Sequence, residues 1–100
     1  MAAKMKLRRW DSAAHLKTED DIAAYWDACL AEGRDEPAFI TVALGNIARA
    51  RGMSKLARKT GLTREGLYKA LSADGNPEFR TVMRVIRALG LELHGTPAKG

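Results

Sequence analysis

The chain has 100 residues, 46% of them apolar and 29% charged, with a formal net charge of +5. This is the composition of one globular domain with a modest core, and it excludes global disorder or a second independent core. The single cysteine, Cys29, excludes an internal disulfide, and with only His15 and His94 beside it there is no zinc-type spacing, so no metal or cofactor is expected.

The charges are segregated along the chain. Residues 47–90 hold ten Lys and Arg against three acids, whereas residues 11–36 hold eight acids against two bases. A basic block suits a polyanion; an acidic block suits a basic partner, or solubility alone. Arg8-Arg9-Trp10 has the look of a twin-arginine signal, but no apolar h-region or small-residue cleavage site follows it. No stretch approaches membrane-spanning length either. A cytoplasmic protein without membrane contact is expected.

Residues 1–17 are read as an N-terminal arm. Met5, Leu7 and Arg9 alternate with Lys6 and Arg8, which predicts a brief extended segment. Trp10 and Leu16 predict that the arm docks, either on its own domain or on a partner. Residues 18–94 are read as a single helical domain. Thr18 followed by Glu19, Asp20 and Asp21 is a helix start, a hydroxyl cap with acids in the first turn where the helix dipole favours them. Ile22, Trp26, Cys29 and Leu30 then share one face with Tyr25 beside them, and Gly33 ends the helix. Cys29 is expected to behave as a small apolar residue.

Asp35, Glu36 and Pro37 open a second helix. It carries no charge from residue 37 to 46 and is apolar on more than one side, which predicts a buried helix at the centre of the core, stopped by Gly52. Residues 52–71, GMSKLARKTGLTREGLYKAL, predict a helix-turn-helix. Ala57 is the small residue where two helices touch, Gly61 ends the first in a left-handed conformation, and Thr63 caps the second. Leu67, Ala70 and Leu71 face the core, which turns Arg64, Glu65, Tyr68 and Lys69 outward as a recognition helix would.

Ser72-Ala73-Asp74-Gly75 predicts a turn. Asn76 is read as the cap and Pro77 as the start of a last helix, with Phe79, Val82, Met83, Ile86 and Leu89 on one face and Gly90 as its end. Leu91-Glu92-Leu93-His94 alternates like a short terminal β-strand that would need a partner, the N-terminal segment or another chain. Residues 95–100 are read as a flexible tail.

With these residues laid out, the chain resembles the helix-turn-helix addiction-module antidote proteins, the antitoxins of toxin–antitoxin pairs encoded beside RelE-like toxins. The resemblance runs from about Trp10 to Leu93. It is carried by EDDIAAYWDACLAEG, LGNIARARGMSKLARKTGLTREGLYKALS and GNPEFRTVMRVIRALGLEL. It implies an all-α, five-helix phage-repressor-like bundle, and a protein that neutralises a RelE-like toxin and represses its own operon by binding double-stranded operator DNA. It also implies that Arg64, Glu65 and Lys69 lie at base edges with Tyr68 close by, and that Ser54, Thr63 and Lys55 hold phosphates. Arg and Lys can reach guanine O6 and N7, and a glutamate can accept from a cytosine amino group or pair with a base-contacting arginine. Gly66 lowers helix propensity, which predicts close approach of the backbone to DNA or to the preceding helix.

A module this small implies a homodimer on a palindromic site. The acidic N-terminal third is the candidate toxin surface, with Trp10, Leu16, Tyr25 and Trp26 as anchors; the alternative is that it is scaffold. An enzyme is not expected, because neither histidine has a catalytic partner at useful spacing. A stand-alone phage-type repressor would share the whole motif and stays open as an alternative.

Overall fold

The structure, a computed structural model, describes residues 16–98. Within them are five helices and no strand: α1 (Glu19–Glu32), α2 (Pro37–Arg51), α3 (Met53–Thr60), α4 (Arg64–Ala70) and α5 (Phe79–Ala88). The arm proposed for residues 1–17 lies almost wholly outside the described residues, as does the end of the tail.

α1 begins with a reciprocal cap. The Thr18 hydroxyl accepts from the Asp21 amide at 3.0 Å, while the Asp21 carboxylate accepts from the Thr18 amide at 3.1 Å. Its buried residues are Ile22, Trp26 and Cys29, and Leu16 packs into the same core from just before the helix. Gly33 closes α1, and a Cβ there would overlap the Phe39 ring, so the tight connection into α2 depends on a missing side chain. Pro37 occupies the first turn of α2, where its lost N–H costs nothing.

α2 is buried through Ala43, Leu44, Gly45, Ile47 and Ala48. Gly52 alone, at φ 105°, separates it from α3, a reversal that an L side chain would strain. α3 packs against α2, α4 and α5, whereas α1 packs against α2. A Cβ on Gly45 would come within 2.5 Å of the Leu71 carbonyl oxygen, so the end of α4 rests directly on the α2 backbone.

The last helix departs from the sequence reading at both ends. It starts at Phe79 with Glu78 as N-cap, not at Pro77; proline holds the residue before it extended, so the chain stays open through Asn76. The core side of α5 is Val85 and Ile86, with Leu89 just beyond, and Val82 packs at its edge. Phe79, expected on that face, is 71% exposed. At the other end no strand forms. The Leu91 amide bonds to the Ile86 carbonyl and the Gly90 amide to the Arg87 carbonyl, both at 3.0 Å, with Gly90 at φ 77°. This is a Schellman stop, in which the residue after the glycine makes an apolar contact back onto the helix. Leu91 packs on the core in that role, while Leu93 is exposed. The apolar alternation of residues 91–94 is therefore a helix terminator, not a strand.

Candidate nucleic-acid interface

α3 and α4 are joined by Gly61, Leu62 and Thr63. Gly61 is left-handed at φ 76° and its amide bonds to the Ala57 carbonyl at 2.9 Å. The Thr63 hydroxyl accepts from the Gly66 amide at 2.9 Å, which satisfies one of the open donors at the start of α4. Thr60, which the sequence reading passed over, ties the turn together: its buried hydroxyl donates to the Leu56 carbonyl at 2.9 Å and accepts from the Leu62 amide at 3.2 Å. Only the combination of a β-branched hydroxyl with a following glycine hinted at that role.

Leu67 is fully buried and Leu71 nearly so. They turn Arg64, Glu65, Tyr68 and Lys69 to solvent on one exposed face. The Arg64 guanidinium lies 5.8 Å from the centroid of the Tyr68 ring, one turn along the helix. A cation over an aromatic face is attracted by the ring quadrupole, so Tyr68 gives Arg64 a preferred direction before any ligand arrives. Glu65 makes no hydrogen bond or ion pair among the described residues, so the arginine pairing left open for it is not formed in the isolated chain.

A Cβ on Gly66 would meet the Thr63 hydroxyl oxygen at 2.9 Å, a tight contact with the cap of its own helix, although Asp21 carries a side chain at the equivalent position beside Thr18.

Ser54 and Lys55 are both exposed but do not share a flank. Successive helical residues are rotated by about 100°. Lys55 lines a hollow against Ala88 and Leu89, on the α5 side of α3. Ser54, about 100° away around the helix axis, does not line that hollow.

Three of the four residues expected to anchor a toxin, Leu16, Tyr25 and Trp26, fall within the described residues. Leu16 and Trp26 belong to the core, at 7% and 4% exposure, and Trp10 lies outside the described residues. Tyr25 is half-buried, and its hydroxyl accepts from the Asn46 amide nitrogen at 2.9 Å; the Asn46 oxygen in turn accepts from Arg49. This chain of polar contacts locks α1 onto α2. Burial pushes the Cys29 thiol above its ordinary pKa; a hydrogen bond with Tyr25 opposes the shift and Glu32 adds to it. The thiol is thus held protonated within the core. What α1 does expose is acidic, with Asp20, Asp27 and Glu32 on its surface.

Among the described residues no group of three or more His, Cys, Asp or Glu could hold a metal ion. None of their helices is long and apolar enough to cross a membrane.

A family model described as "Probable addiction module antidote protein" matches residues 6–97. A Haemophilus influenzae protein described only as uncharacterized is 52% identical over 87 residues, which is 87% of this chain and 88% of that protein. No solved structure matches the chain. The chain belongs to this probable addiction-module antidote family, whose members are antitoxins and not enzymes, and membership implies a toxin partner.

Proposed function

We propose that the protein neutralises a RelE-like toxin and, as a homodimer in the cytoplasm, represses the operon that encodes both. In this reading α3 and α4 form a helix-turn-helix of phage-repressor type, and α4 enters the major groove of operator DNA. The observation that carries it is a short helix whose cap and core contacts leave Arg64, Glu65, Tyr68 and Lys69 on one exposed face. Arg64 and Lys69 suit guanine O6 and N7, and the unpaired Glu65 suits a cytosine amino group. Ser54 and Thr63 stand where hydroxyls would hold the flanking phosphates.

The toxin surface is the exposed side of α1. RelE-like toxins bind RNA and are expected to be basic, and Asp20, Asp27 and Glu32 offer the complementary charge. Leu16 and Trp26 serve this surface from beneath by fixing α1 on the core, with Tyr25 at its edge.

The test is growth of cells expressing the protein encoded immediately beside this chain, with and without this chain. Arrest relieved by co-expression supports the toxin-neutralising role, and Asp20→Lys/Asp27→Lys should then abolish the relief while leaving DNA binding intact. A folded, expressed neighbour that does not arrest growth would leave a repressor acting alone.

A further inference from the structure

The hollow beside Lys55 does not end at α3. It is lined by Arg51, Lys55 and Lys59 over a floor of Leu56 and Leu89, and Lys59 and Ala88 also line the adjoining hollow, whose far wall is Arg84 and Arg87. The two form one groove between α3 and α5 with five cations and no carboxylate among the residues lining it. Glu19, 3.7 Å from Arg51, touches only its edge. Like charges gathered along one groove repel, and Lys55, Lys59, Arg84 and Arg87 have no carboxylate partner among the described residues, which favours an anionic occupant.

We propose that this groove is a second nucleic-acid contact, distinct from the exposed face of α4, which holds the phosphate backbone of a duplex without reading its sequence. Arg84 and Arg87 present planar forks that match phosphate oxygens, and Lys55 and Lys59, one helical turn apart on α3, supply point charges on the facing wall. No aromatic side chain lines the groove on which unpaired bases could stack, which disfavours a single strand. Its apolar floor is confined to Leu56, Ala88 and Leu89, which gives an acidic protein segment little to select side chains by. Lys55 keeps a phosphate-binding role, but as part of this groove and not beside Ser54. A dimer reading an operator through α4 would thus also grip flanking or neighbouring duplex, so that its affinity exceeds what its base contacts supply.

The proposal rests on the DNA-binding reading above, and the two can fail separately. The experiment measures binding of the full chain to a random-sequence duplex across a salt series. Arg84 and Arg87 are exposed, so Arg84→Ala/Arg87→Ala should fold normally. The variant should lower the slope of log K against log salt by about 2, since each lost phosphate contact removes about 0.9. The charge-matched Arg34→Ala/Arg80→Ala, both outside the groove, should leave the slope unchanged. An equal change in both variants would reduce the effect to net charge and overturn the proposal, as would an unchanged slope in the first. A poly-glutamate peptide that binds through Arg84 and Arg87, with duplex binding unaffected, would also overturn it by assigning the groove to an acidic polypeptide. If the chain has no preferred sequence yet the groove variant still loses slope, the groove stands and the operator reading falls.

Discussion

α2 is fifteen residues long with five of them buried, whereas α4 is seven residues long and buries Leu67 alone. A helix as short as α4 is not stable in water by itself. α2 is held by its own apolar surface; α4 is held by its neighbours, through the Thr63 cap, the Leu67 side chain and the seat of Leu71 on Gly45. The contrast shows how a reading surface can be kept free. Because the side chains of Arg64, Glu65, Tyr68 and Lys69 take no part in those contacts, their chemistry is open to a ligand.

The largest effect is expected from Leu67→Ala. Truncating this fully buried side chain should cost about 2–5 kcal/mol, read as a lower urea midpoint, and should abolish DNA binding. Gly45→Ala comes next. Its Cβ would sit 2.5 Å from the Leu71 carbonyl oxygen, and forcing that seam apart should cost about 1–3 kcal/mol. Amide exchange should show the lost protection concentrated in α4, not in α1. An equal loss in both would mean that Gly45 does not position α4.

Thr63→Ala should cost about 1 kcal/mol as a lost N-cap. Gly66→Ala should be nearly neutral in the native background, since the gain in helix propensity is offset by crowding of the Thr63 hydroxyl, but stabilising by up to ~1 kcal/mol once Thr63 is alanine. A double-mutant cycle measures that coupling, and additive effects would contradict the crowding of the cap.

The buried thiol makes a smaller, pH-dependent contribution. The Cys29 pKa is raised in the folded state, so the unfolded chain loses its proton first as pH rises. The stability that Cys29 contributes should be constant below the ordinary thiol pKa and decline above it, and Cys29→Ala should remove that alkaline decline. The smallest effect on stability is expected from Arg64→Ala/Lys69→Ala, within about 0.5 kcal/mol, because both residues are exposed.

The local devices of this fold were legible because each is encoded by adjacent residues. The Thr18 and Thr63 caps, the left-handed Gly61 and the charge-free stretch 37–46 of α2 can all be read without knowing what packs where. Contacts distant in sequence were not legible. Nothing near Gly45 in the sequence points to Leu71, and nothing near Lys55 points to Arg84 and Arg87 across the groove. One local pattern also misled. Residues 91–94 alternate as a strand does, but Leu91 is the apolar residue of a helix stop. For Trp26 and Leu16 the sequence left both packing on the domain and contact with a partner open, and both side chains lie in this chain's own core. The exposed face of α4 followed from helical periodicity, whereas the preference of Arg64 for the Tyr68 ring needed side-chain geometry.

Selection of preferred sequences from a random duplex library, carried out with the native chain and with Arg64→Ala/Lys69→Ala, tests the reading of α4 most directly. The native chain should enrich a palindrome with half-sites about one helical turn apart, and the variant should keep the spacing while losing base preference at the positions those side chains reach. No enriched sequence from the native chain, or the same sequence from both proteins, would contradict the assignment of α4 as the reading helix.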